Sequence, residues 1–222
     1  MIELATAAFV TFALATITTL VLMSFAPLLA WWLSRSRSRA QPLVEALIAL
    51  PLVLPPTVMG FYLLLAMAPD GLLGAAWLYA TGRPLAFSFA GLVVGSVIYS
   101  LPFAVQPMAT AFRSMDFGLL DAATVLGASP RDRFLRLVLP LHRRAMIAAA
   151  ALCFAHTIGE FGIVLMIGGN IEGETRVLSI ALFDQVEALR YAEAHTTAAV
   201  LLITSIVLLT VIYAAQRPAE RD

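Results

Sequence analysis

The sequence has no lysine; all fourteen of its basic residues are arginine. A nucleotide-binding P-loop needs a lysine on the β- and γ-phosphates, and Schiff-base chemistry needs a side-chain amine. Neither activity can reside here, so any nucleotide hydrolysis that drives this protein belongs to another polypeptide. The single cysteine, Cys153, excludes an internal disulfide and reads as a small core residue in an apolar run. Charge is also scarce. Charged residues make up 13% of the chain and hydrophobic ones 61%, with a mean hydropathy of +0.91. A soluble domain carries roughly 25% charged residues, so lipid is the solvent that suits this surface. A formal net charge of zero gives no pull toward nucleic acid. There is no His-Glu-x-x-His and no serine–base pair in a recognisable motif, which argues against an intramembrane protease. Internal repeats and low-complexity linkers are missing too, and residues 1–222 read as one integral membrane domain.

Long apolar runs fill the chain instead. Crossing about 30 Å of hydrocarbon takes about 20 helical residues, and five runs of that kind predict spans at about 6–33, 44–68, 85–112, 145–168 and 195–215. The first run has no basic stretch before it and exceeds a signal peptide's apolar core, so it reads as a retained helix. Eleven arginines (35, 37, 39, 113, 131, 133, 136, 143, 144, 217 and 221) fall on one side of this arrangement, and Arg83, Arg176 and Arg190 on the other. The arginine-rich side is cytoplasmic. The N-terminus is therefore expected outside and the C-terminus inside.

Span two contains Pro51, Pro55 and Pro56, which remove backbone donors and crowd the preceding turn. A kink or break follows, either as a hinge lining a pathway or as a packing bend. The connection 113–144 predicts a knuckle. Residues 119–126 form a short helix with Leu119, Leu120, Ala123 and Leu126 on one side, ended by Gly127. Ser129, Pro130 and Asp132 then restart a helix as N-cap, first residue and capping acid. The second helix is expected to stop before Pro140, with Phe134, Leu135 and Val138 on one face and Arg131, Arg133 and Arg136 largely on another. A membrane-surface loop would account for the arginines alone. It would not account for the spacing Asp121-Ala122-Ala123, Gly127, Ala128, Ser129, Leu137, Leu139, Pro140.

That spacing resembles the Glu-Ala-Ala loop of ABC-importer permeases, with Asp121 for the glutamate and Leu137 for an isoleucine. Leu50-Pro51-Leu52-Val53-Leu54-Pro55-Pro56, Ser100-Leu101-Pro102, Ile158-Gly159-Glu160-Phe161-Gly162 and Gly169-Asn170-Ile171-Glu172-Gly173-Glu174-Thr175-Arg176 are similar to the molybdate/sulfate permease group. Glu172 stands where proline is usual. The resemblance implies an all-α membrane fold of the type I ABC-importer permease kind, with five transmembrane helices and a cytoplasmic coupling helix. It implies a homodimer in a bacterial or archaeal cytoplasmic membrane, moving molybdate by alternating access; sulfate and tungstate remain alternatives. Two ABC ATPase subunits carrying ATP and Mg would dock on the knuckle, and a periplasmic or extracellular binding protein would deliver the oxyanion. The subunit itself needs no cofactor, metal or catalytic residue. A membrane scaffold that docks an ATPase without transporting is the rival from another class.

Individual residues carry narrower expectations. Glu160 is the one acid deep within a span, where a charge costs about 2.5–3.5 kcal/mol, and His156 lies one turn before it. A metal site would need more ligands. The expected role is structural: protonated or hydrogen-bonded near Gly159 and Gly162, steadying a bend. A proton relay or a place in the pathway lining is the competing role. Ser100, Thr157 and Asn170 offer neutral donors suited to an oxyanion path. Arg176 is expected to pair with Glu172 or Glu174, and Trp31, Trp32 and Trp77 to anchor at the membrane interface.

Overall fold

The structure is a computed structural model that describes residues 2–216; Arg217 and Arg221 lie outside them. Every regular element among the described residues is a helix. Three helices are long and apolar enough to cross a membrane: α1 (Ile2–Arg35), α5 (Phe89–Arg113) and α12 (Tyr191–Gln216), the last judged over Tyr191–Thr210. The count rises to five if each of two bent pairs makes one span.

Span two is one such pair. Helix α2 (Gln41–Val53) ends at Leu54, and α3 (Pro56–Met67) leaves at 114° to it. Pro55 and Pro56 have no N–H to give the preceding turn, and Pro55 also forces extended backbone on Leu54, at ψ 138. The expected break is therefore complete, and the two arms form a V rather than a rod. The predicted fourth span is not continuous either. Helix α9 (Arg143–Gly159) stops at Glu160, which is extended at ψ 135, and α10 (Gly162–Gly168) restarts beyond Phe161. A short apolar helix, α4 (Leu72–Thr81), links α3 to α5, and α11 (Leu178–Glu187) precedes α12.

The core forms around the contact of α1 with α5 and α9. Helices in lipid gain little from hiding apolar surface and associate through close packing of small residues. Ala15, Ala26 and Ala30 of α1, Ala104 of α5 and Ala149 of α9 are all fully buried. Two large apolar clusters result, beside a small third one of Ala7, Leu178 and Ala181. One holds Leu22, Ala26, Val105, Met108, Phe112, Phe134 and Val138; the other Leu14, Met59, Leu92, Ile163, Ile167 and Ile180. Positions four apart on α5 share a face, and Leu92, Ser96, Ser100, Ala104, Met108 and Phe112 run along it, all buried. Ser96 and Ser100 thus form a polar waist between the two apolar clusters.

The knuckle begins with α6 (Phe117–Val125), capped by Asp116, whose side chain accepts from Gly118 N–H. Gly127 turns the chain at φ 81. Ser129 caps α7 (Pro130–Asp132), accepting from Asp132 N–H at 3.1 Å and donating to its carboxylate at 2.6 Å. The helix does not stop before Pro140. It widens into a π-helical stretch over Arg133–Val138, where Leu139 N–H reaches Phe134 O, and continues as α8 (Leu139–Leu141) to a 74° bend at His142. A π-turn slips the ladder by one residue, so a proline can follow without its ring meeting a carbonyl. Two further expectations fail here. Leu135 is exposed rather than grouped with buried Phe134 and Val138, and of the four residues expected together on the first short helix Leu120 is buried, Ala123 half-buried, and Leu119 and Leu126 are open.

Candidate functional site

Two places bring the singled-out residues together. The first lies at the waist, where both broken helices meet. Gly162 faces Pro56 so closely that an added Cβ would sit 2.7 Å from Pro56 Cβ, and one on Gly60 would sit 2.7 Å from Met166 Cβ. These glycines let α3 and α10 approach backbone to backbone and hold the two breaks side by side. Beside them opens a cavity of about 630 Å³, lined by Pro56, Thr57, Tyr99, Ala155, His156, Gly159, Glu160, Phe161 and Gly162.

Glu160 closes one wall and is 5% exposed. Its Oε2 accepts a hydrogen bond from Ser96 Oγ at 3.2 Å, and its backbone carbonyl accepts one from Ser179 Oγ at 2.5 Å. The residue therefore ties α5 and α11 to the break between α9 and α10. Its Oε1 has no partner among the described residues. His156 does not pair with Glu160. The helix ends between them, so the one-turn relation is lost, and His156 Nδ1 instead meets Ser100 Oγ at 2.9 Å while its ring stacks on Phe103 at 4.0 Å. Ser100 Oγ also meets Thr157 Oγ1 at 3.1 Å, and Thr157 donates to Cys153 O at 2.9 Å. Ser100 and Thr157 are thus buried in the helix contact, one layer behind the cavity wall. Pro51 is buried, away from the cavity, whereas Pro55 is exposed at the break.

Asn170 is apart from this group. Its side chain accepts from Arg176 Nε at 2.6 Å and donates to Asp184, and Arg176 lies 4.0 Å from that same carboxylate. Arg176 therefore pairs with Asp184 and Asn170, not with Glu172 or Glu174, because the 170–176 turn folds those two acids outward. That turn is built on Thr175, which is fully buried; it donates to Gly168 O at 2.7 Å and accepts from Ile171 N–H at 3.0 Å. Gly173 has φ 78, and Glu174 N–H closes the turn on Ile171 O. A positive φ at the third position is what a type II turn needs, with proline common at the second. Glu172 occupies that second position, so the departure from proline leaves the turn intact.

The second place is the knuckle. Ala123, Leu126, Gly127, Ala128, Asp132, Arg133, Arg136 and Leu137 surround a hollow of about 370 Å³. Arg133 donates to Thr124 across the corner and Arg136 lies 3.3 Å from Asp132, so much of the arginine charge is spent holding the knuckle's shape. Asp121, Ala122 and Ser129 are exposed beside the hollow; Leu139 is half-buried and Pro140 exposed. Trp31 packs against Phe112 at 5.8 Å and Phe134 at 6.0 Å, and Arg35 sits over its ring. It forms a joint between α1, α5 and the knuckle.

Sequence reading missed Ser96, Ser179, Thr57 and Tyr99. Ser96 was findable, since it sits one turn before Ser100 on the same face. The others needed the chain crossings.

Residues 26–222 match the family described as "Binding-protein-dependent transport system inner membrane component". The chain is 49% identical over 207 residues, 93% of its length and 92% of the relative's, to the molybdenum transport system permease protein ModB of Azotobacter vinelandii. It is 35% identical to the protein of that name from Haemophilus influenzae, over 71% of this chain and 69% of that one. Against the sulfate transport system permease protein CysT of Escherichia coli it is 34% identical, over 83% of this chain and 66% of that one. The fold is shared with a bacterial ABC transporter for alginate in complex with a periplasmic protein, at a TM-score of 0.69, 15% identity and coverage of 95% and 76%.

Proposed function

The chain belongs to the family of binding-protein-dependent transport system inner membrane components, and from that membership we propose that it is the membrane-spanning permease subunit of an ATP-driven molybdate importer. One observation carries the substrate: 49% identity across nearly the full length of a molybdenum permease, against 34% for a sulfate permease. The subunit is a transport component of the inner membrane, not an enzyme, and ATP is hydrolysed on a separate ATPase.

Two copies form the pathway between them. The knuckle, residues 113–144, faces the cytoplasm and takes one ATPase subunit per copy, with Asp121, Ala122, Ala123, Gly127, Ala128 and Ser129 at the contact. Leu137, Leu139 and Pro140 fix its base. Support comes from its exposed apolar tip: Val125 is 87% and Leu126 86% exposed, surface that needs a partner outside the bilayer. The rigid joint of Trp31, Phe112 and Phe134 lets a push on the knuckle reach α1 and α5. Closure of the ATPase pair on ATP would draw two knuckles together and open the pathway outward, with release inward after hydrolysis. Mg-ATP belongs to the partner.

Reconstituted complexes of this chain with its ATPase and binding protein should accumulate labelled molybdate, with tungstate competing and sulfate competing weakly. Sulfate competing as well as molybdate would favour the sulfate reading. ATPase docking without any uptake would favour a scaffold.

A further inference from the structure

The face of α5 turned away from its packed one is polar. Tyr99, Phe103, Gln106, Thr110 and Arg113 recur along it at three- and four-residue steps, and the last three are exposed. Neither the Gln106 carboxamide nor the Thr110 hydroxyl has a hydrogen-bond partner among the described residues. Exposed hydroxyls on α1 behave otherwise. Thr16 and Ser24 each donate to a carbonyl of their own helix, at 2.7 and 2.6 Å, which is how a hydroxyl is satisfied against lipid.

Two more features mark the same face. Pro107 has no N–H to give the Phe103 carbonyl, and backbone freed at membrane depth is tolerated where it borders protein or a water-filled space. Phe103 and Pro107 line a hollow of about 300 Å³ that continues, through Gln106 and Thr110, into another of about 290 Å³. The two make one crevice between α2 and α5. An ion pair closes its far end: Arg113 donates to Glu45, which also accepts from Gln41 Nε2 at 3.5 Å, and Gln41 donates to Leu33 O at 3.1 Å. Helix α2 packs mainly against α5, so this clasp fixes the wall that α2 makes. At the near end Phe103 stacks on His156, which lines the 630 Å³ cavity.

We infer that this crevice is the inner mouth of the oxyanion path, with Gln106 and Thr110 as neutral donors and the Arg113–Glu45 pair at its exit. The inference rests on the permease reading above, in which Arg113 lies toward the cytoplasm and a second copy completes the path. An amide and a hydroxyl hold an anion weakly enough to let it go. A bare guanidinium at the exit would hold it with strong, charge-assisted bonds, and Glu45 offsets that charge.

The test uses inside-out membrane vesicles holding the complete complex, with single cysteines introduced beside the buried Cys153. Gln106→Cys and Thr110→Cys should react with charged, membrane-impermeant thiol reagents, because the reactive thiolate forms where water reaches it. Leu20→Cys, at an exposed apolar position of α1, should stay unlabelled. If positions 106 and 110 are as silent as 20, lipid or the second copy covers the face and the inference falls. Adding Glu45→Gln to Thr110→Cys leaves Arg113 without its carboxylate. The rate with an anionic reagent, relative to a cationic one, should then rise roughly 2- to 10-fold. An unchanged ratio overturns the assignment of the pair to the mouth. Uptake supplies the last readout. Gln106→Glu is nearly the same shape and sets a negative charge in the path. In reconstituted complexes that still hold the ATPase it should cut molybdate uptake about 10-fold or more, while Gln106→Asn, which keeps the amide, should retain most of it. Full uptake by Gln106→Glu overturns the inference and leaves the permease reading standing. Wild-type complexes that accumulate no oxyanion overturn both.

Discussion

Thr175 shows how much one hydroxyl can hold. It closes the 170–176 turn from inside, donating to one backbone carbonyl and accepting from one N–H, with no exposure of its own. Valine has the same shape and neither bond. Thr175→Val leaves the buried Gly168 carbonyl unpaired, at about 1–3 kcal/mol, and frees the part-buried Ile171 N–H, while Thr175→Ser keeps both bonds. Thermal unfolding in detergent should show a clear drop for the valine variant and a small one for serine. Equal melting of the two would mean that water reaches those groups. Gly162 makes the same point by absence, because a methyl there would meet Pro56 at 2.7 Å.

At the scale of elements, the knuckle has a packed base and an open tip. Its base is tied into the core by Leu120, Phe134 and Val138, all buried, and by His142, which meets the ring of Phe112 edge-on at 5.1 Å. Its tip is bare. Leu126→Asp should therefore leave the unfolding midpoint nearly unchanged, as substitutions at open surface stay within about ±0.5 kcal/mol. It should abolish co-purification of the ATPase. Retained ATPase binding with normal melting would move the docking surface elsewhere. The broken spans are the other element-level device. Two broken helices leave carbonyls and N–H groups that lipid cannot satisfy, and the two breaks lie side by side where Gly162 meets Pro56.

For the whole molecule, the arginine distribution predicts which end faces the cytoplasm, and one labelling experiment tests it. Cys153 is buried, so introduced cysteines report without background. Glu172→Cys and Ser129→Cys are both at exposed positions, at opposite ends of the molecule in this reading. A membrane-impermeant thiol reagent added to intact cells should label the first and spare the second. The reverse pattern would invert the topology and detach the knuckle from any cytoplasmic ATPase.

Much of this could be read along the chain because it is local in origin. Apolar run length, proline pairs, the Ser129–Pro130–Asp132 cap and the positive φ at Gly127 act within a few residues of themselves, and the sequence alone determined the membrane solvent, the break in span two and the knuckle. Facing is another matter. A helix in lipid is apolar all round, so periodicity does not say which side meets a neighbour, and a polar side chain's partner depends on the angle and depth at which helices cross. That is why His156 turned to Ser100 rather than Glu160, and why Arg176 took Asp184. The pairing of Ser96 with Glu160 was likewise decided by tertiary structure alone, through close approach of small residues that carry no directional signal in sequence.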